Sequence, residues 1–118
     1  APALDIPAVA RNFVADSNLP LTHLVTWVGL RLLDWRIGVD YGQAHSVDTM
    51  ARQPARLFVA HGSADPLVPV SISDRLHALR PEMTYLRTGA VHIQSWQEDP
   101  ARYESALSSF LQQVLASP

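Results

Sequence analysis

The sequence predicts an α/β chain in which parallel strands with flanking helices follow a helical segment. Three observations predict it. Residues 55–62, ARLFVAHG, form a short apolar run without alternation that ends in Gly, the pattern of a strand buried on both faces. Residues 82–89, EMTYLRTG, set Met83, Tyr85 and Arg87 against Thr84, Leu86 and Thr88 at a period of two, which is a second strand. Each run is followed by a stretch of helical period, and strand–helix–strand connections of this length join parallel strands through a right-handed crossover.

Before residue 55 the apolar spacing is helical. Ile6, Val9, Ala10, Phe13 and Val14 recur at 3.6 residues from Ile6 to Asp16, with Pro7 tolerated in the first turn. Residues 18–38 place Leu21, Leu24, Val25, Val28, Leu32 and Trp35 on one broad face, predict the longest helix of the front half, and offer Gly38 as its stop. Residues 39–54 mix turn formers with a single helical turn at Ser46–Ala51, and Pro54 closes this connection. Residues 1–54 thus read as one helical segment and residues 55–118 as a strand–helix–strand–helix unit. In that unit, residues 68–81 predict a helix capped by Ser71 or Ser73 and ended by Pro81. Asp99 and Pro100 form an N-cap and first-turn pair for a final helix. Its apolar face is Tyr103, Ala106, Leu107, Phe110, Leu111, Val114 and Leu115.

Composition narrows the function classes. With 118 residues, one domain is expected, and 47% hydrophobic against 17% charged residues gives a chain able to bury a core rather than a disordered one. A net charge of −2 with no basic tail or stripe excludes the electrostatic footprint of a nucleic-acid or anionic-membrane binder and suits a small neutral substrate. The absence of Cys excludes disulfides, Cys-ligated zinc and a thiol nucleophile. Residues 1–9 lack the basic flank and apolar core of a signal peptide, so the cytoplasm is the default localisation. Residue 1 is not Met, and coding sequence upstream of it is expected. The stretch from Leu19 to Trp35 carries His23, Arg31 and Asp34 and is too short for a membrane span, so it is a core or lid helix.

Asp65 stands just past the C-terminal end of the first predicted strand, and His92 just past that of the second. In open α/β sheets this edge is where ligands bind. A carboxylate that accepts from one imidazole nitrogen fixes the tautomer and leaves the other nitrogen as a base. Asp65 and His92 are therefore the candidate catalytic acid and base, with plain turn-former and loop-histidine readings beside them. His61 reads as structural, its ring buttressing the acid loop. His61 and Asp65 at i, i+4 do not share a face in a strand and turn, so no metal is expected. His23, His45 and His77 read as surface or helix-face residues, Trp35 and Trp96 as core or pocket wall, and Trp27 as a candidate wall of an acyl pocket.

At these residues the chain resembles the α/β-hydrolase family, over about its last 65 positions. The family pattern His-Gly-x-x-Asp-x-x-Val-Pro stands here as HGSADPLVP, with Asp65 at the acid position. The family's Gly-x-Gly-His loop stands as TGAVHIQSW, with His92 as the base and Val91 in place of the usual small residue. Val91 puts a β-branched side chain where φ > 0 would be resisted. The family's G-x-S-x-G nucleophile elbow, which precedes the acid in chain order, occurs nowhere in residues 1–64, and Ser17 and Ser46 have no elbow around them. Ser63, Ser71 and Ser73 fall in or after the acid turn.

The resemblance implies the C-terminal part of a hydrolase: a lid or cap segment, the last two strands and the last two helices. It implies an Asp–His portion of a serine hydrolase acting on ester-like acyl substrates, with small ester or amide substrates and no cofactor. Relatives with an Asp nucleophile share such an acid and histidine, and fold alone does not choose the substrate. The alternative is a non-catalytic, self-standing truncated α/β module that binds a protein partner through an exposed sheet edge or apolar face. For a hydrolase fragment the expected partner is the missing N-terminal segment or a second copy, met through an exposed sheet edge.

Overall fold

A computed structural model of the chain describes residues 4–18, 20–38, 40 and 46–116. Most of the 39–45 connection, His45 included, lies outside the described residues. The described elements are α1 (Ile6–Asp16), α2 (Thr22–Ile37), α3 (Ser46–Ala51), β1 (Phe58–Gly62), α4 (Val70–Leu79), β2 (Thr84–Thr88), α5 (Ser95–Glu98) and α6 (Pro100–Leu115). The fold is mixed α/β and mostly helical, with a two-stranded parallel sheet as its centre.

Phe58 is in register with Thr84, and each pair follows in step to Gly62 with Thr88. Side chains alternate across this ribbon. Val59 and Tyr85 join one core with Leu4, Val47, Val68, Ile72, Leu76 and Met83, so α1, α3 and α4 cover that face. On the other face Phe58 meets the rings of Tyr103 and Phe110 of α6, each at 5.7 Å between centroids. Parallel strands need helices on both faces because each face of the ribbon is apolar.

Local chemistry sets the helix ends. Asp5 caps α1 by accepting from the Ala8 amide at 3.0 Å. Gly38 ends α2 at φ 77, where the absence of Cβ removes the left-handed penalty, and its amide closes on Asp34 O at 2.7 Å. Asp99 caps α6 through the Arg102 amide, as expected. Neither Ser71 nor Ser73 caps α4: the helix starts after Pro69 without a side-chain cap, and Ser73 is buried within it. Pro69 presets φ at the entry to the helix. The tetrapeptide helix α5 has no periodic signal in the sequence.

Burial departs from the predicted faces in the front half. On α2 the row Thr22, Thr26, Leu30 and Asp34 is turned inward, while the predicted face is exposed, from Val25 and Val28 at 39% to Trp35 at 83%. Thr26 is small and its hydroxyl is satisfied by Thr22 O at 2.8 Å, so it allows a close approach to α1 that a Leu row would hold off. Phe13 of α1 is likewise exposed. On α6, Tyr103, Ala106, Leu107 and Phe110 are half-buried, whereas Leu111, Val114 and Leu115 face solvent. Trp35 is thus not a core residue. No described helix is long and apolar enough to cross a membrane.

Candidate functional site: an Asp–His pair at the strand ends

Because β1 and β2 are parallel, both chains leave the sheet at the same edge. The ladder runs one step further through the Ser63 amide on Thr88 O at 2.8 Å, and the Ala64 amide then bonds Ala90 O at 3.2 Å. The two loops therefore cross directly above Gly62. A Cβ on Gly62 would sit 2.0 Å from Ala90 O, so only glycine lets the loops meet.

Asp65 fills two roles with its two oxygens. Oδ1 accepts the Leu67 and Val68 amides, each at 2.9 Å, and forms the turn. Oδ2 lies 2.8 Å from Nδ1 of His92. One side chain thus both forms the turn and contacts the His92 ring. A carboxylate only accepts, so Nδ1 of His92 carries a proton, and in the neutral ring Nε2 holds the lone pair. Among the described residues Nε2 has no hydrogen-bond partner, and the His92 side chain is 34% exposed while that of Asp65 is fully buried. Burial alone would raise the Asp65 carboxyl, but the Val68 amide, the His92 ring and the Leu67 amide outweigh it and hold the group below the ordinary carboxylate range.

The loop that carries His92 is tied down from behind. Thr88 donates to Ser95 Oγ at 3.1 Å, and Glu98 Oε1 accepts the Gly89 amide at 3.0 Å, so the first and last residues of the short α5 hold the start of the loop. The strain expected at Val91 falls instead on Ile93, whose φ is 56. The residue after His92, not the one before it, makes the reversal into α5. A β-branched residue in the left-handed region is a stored cost, and such costs gather at functional turns.

His61 lies under the acid turn, wholly buried. Its Nδ1 is 2.6 Å from Ser73 Oγ and its Nε2 is 3.0 Å from Val68 O. Nε2 also stands 3.6 Å from Asp65 Oδ2, beyond ordinary hydrogen-bond length. Burial is the main influence on this ring and pushes its pKa below the usual 6.5, against the pull of the Val68 carbonyl, Asp65 and Asp74. Sequence reasoning missed Ser73 as its partner. The available signal was a serine on the buried row of α4, between Ile72 and Leu76.

Other predicted positions fall elsewhere. Trp27 and His23 line a cleft between α1 and α2 with Arg11 and Thr26, which shares no residue with the Asp–His turn. Trp96 walls a cleft with Ala60, Ile93 and Tyr103, next to the His92 loop. His77 stacks obliquely on Tyr85, at 5.2 Å between rings. Another cleft, about 380 Å³, opens at the opposite end of the strands, beside Leu57 and Thr84. Its Arg80 is committed to the carbonyls of Gln53 and Ala55 and to Glu82, so it offers no free cation to a ligand. Among the described residues, no three His, Asp or Glu side chains gather as metal ligands would.

The site defines a mixed α/β chain that presents a buried carboxylate and a half-open imidazole at the C-terminal edge of its parallel strands. Comparison of the chain with protein-family models, curated proteins and solved structures found no match.

Proposed function

We propose that Asp65 and His92 are the acid and base of a hydrolase acting on ester-like acyl substrates, in a chain that forms the C-terminal part of an α/β-hydrolase fold. The observation that carries this reading is the 2.8 Å contact of Asp65 Oδ2 with Nδ1 of His92, whose side chain is partly exposed and whose Nε2 has no hydrogen-bond partner among the described residues. In this reading a serine hydroxyl outside the 118 residues attacks the substrate carbonyl and passes its proton to His92 Nε2. Asp65 stabilises the imidazolium so formed, and the same proton then leaves with the alcohol product. A fluorophosphonate probe applied to the polypeptide as its gene encodes it tests the proposal. It should label one serine outside residues 1–118, and His92→Gln or Asp65→Asn should abolish labelling. Absence of labelling, or labelling indifferent to both substitutions, overturns it.

The exposed apolar face of α2 favours a second reading, a binding module without catalysis. Its contiguous surface, with Leu24, Val28, Leu32 and Trp35, invites another apolar surface. On this reading the purified chain is a dimer by analytical ultracentrifugation at micromolar concentration, and Val28→Arg makes it a monomer. A wild-type monomer removes that reading.

A further inference from the structure

We propose that Ser73 and His61 are positioning residues for the Asp65–His92 pair: the Ser73 hydroxyl holds the His61 ring on the Val68 carbonyl and thereby reserves the second carboxylate oxygen of Asp65 for His92. The consequence for turnover rests on the acid–base reading above, but the arrangement itself belongs to the fold.

The hydrogen-bonding capacity of each partner fixes where the protons sit. The Val68 carbonyl, 3.0 Å from Nε2 of His61, accepts and cannot donate, so Nε2 bears a proton. In a neutral ring Nδ1 is then a lone pair, and only a donor satisfies it. Ser73 Oγ at 2.6 Å is that donor. With both His61 and Ser73 at 0% exposure, water does not compete for these atoms, and a charge on the ring is disfavoured by burial. The Val68 carbonyl therefore sets the tautomer, with the single N–H pointing at the acid turn, and the Ser73 hydroxyl satisfies the nitrogen on the far side of the ring.

That N–H has two acceptors within sight. It reaches the Val68 carbonyl at 3.0 Å and Asp65 Oδ2 at 3.6 Å. His92 Nδ1 holds the same Oδ2 at 2.8 Å. His61 is thus the one described group placed to compete with His92 for the carboxylate. Ser73 pulls on the far side of the ring, and the Val68 carbonyl, which receives no backbone amide among the described residues, gives the N–H a better end point. Residue 68 closes the circuit: its carbonyl is held by His61 while its amide holds Asp65 Oδ1 at 2.9 Å. A shift at Ser73 is transmitted through His61 and Val68 to both oxygens of Asp65.

The test is the tautomeric state of the imidazoles, read from two-bond nitrogen–proton correlations on the ¹⁵N-labelled chain at neutral pH. The sequence holds five His, few enough to assign by single substitutions. The wild-type chain should show His61 protonated at Nε2 alone and His92 at Nδ1 alone. Ser73→Ala and Ser73→Cys should both turn the His92 pattern into a tautomeric mixture, although position 73 does not touch His92. The Cys variant fills the site at least as fully and weakens the donor, so a wild-type His92 pattern in Ser73→Cys, with a changed one in Ser73→Ala, assigns Ser73 to space filling and overturns the proposal. A His92 pattern unchanged in both variants also overturns it. In the complete polypeptide, Ser73→Cys should slow fluorophosphonate labelling on the order of tenfold, a cost comparable to the loss of an outer-shell partner at a metal site. Because the tautomers are read without any nucleophile, failure of the hydrolase reading and failure of the positioning role remain separate results.

Discussion

Replacing Asp65 by Asn and by Ala separates the two jobs of one carboxylate. In Asp65→Asn the amide oxygen can still accept the Leu67 and Val68 amides, both at 2.9 Å, so the turn survives. The NH₂ group, however, takes the place of the oxygen 2.8 Å from His92 Nδ1 and donates where the carboxylate accepted. A charge-assisted bond is worth about 1.5–3 kcal/mol, and the partial exposure of His92 argues for the lower part of that range, about 2 kcal/mol. At about 4–8 °C per kcal/mol for a domain near this size, the Tm should fall by roughly 10 °C. Asp65→Ala removes the turn acceptor as well and leaves two amides unsatisfied, which adds at least about 2 kcal/mol. The assays are thermal and urea unfolding of each variant and the His92 tautomer by NMR.

In Asp65→Asn the proton of His92 should move to Nε2, which removes the base. The loss of labelling in the complete polypeptide should be on the order of 10⁴-fold, as for an amide in the acid position of a serine-protease triad. The pH dependence has a defined sign. Asp65 is held below its ordinary value in the folded chain, so its contribution is full above the unfolded pKa of about 3.9 and disappears as pH falls through the lower folded value. The stability gap between wild type and Asp65→Asn should therefore close on acidification below about pH 4. Equal destabilisation by Asn and Ala, or a His92 that keeps its Nδ1 proton in Asp65→Asn, would refute the division of labour between the two oxygens.

Three further outcomes are expected. Gly62→Ala should displace the Ala90–His92 loop, because the new Cβ meets a backbone oxygen at 2.0 Å; overpacking of this kind costs about 1–3 kcal/mol, and an unchanged His92 NMR environment would contradict it. Ile93→Gly should raise the unfolding free energy by about 1 kcal/mol, since it relieves the left-handed backbone at φ 56 of an exposed side chain; a fall in stability would show that the Ile93 contacts outweigh the strain. His61 should stay neutral in an NMR titration to a pH below 6.5, so the unfolded chain takes up that proton first and stability falls as pH drops from about 6.5 toward the folded value; a His61 midpoint at or above 6.5 would reverse the sign.

Much of the back half was legible along the chain. The unalternated run before Gly62, the Asp99–Pro100 cap pair and the 3.6-residue spacing of α6 are local signals, and they fix element type because backbone preference and cap chemistry act within a few residues. From these alone Asp65 and His92 are expected at strand ends, and parallel pairing brings those ends to one edge. Tertiary structure decided which atoms meet there. That Asp65 divides its oxygens between a turn and His92, that Ser73 turns inward to His61 rather than capping α4, and that the backbone strain sits on Ile93 rather than Val91 depend on how two loops cross over Gly62. The front half shows the same limit. The apolar periodicity of α2 states that a face exists but not what it faces, and the small Thr26 rather than the Leu-rich row became the contact with α1, because the closeness of two helices is set by side-chain volume at the crossing and not by hydrophobicity alone.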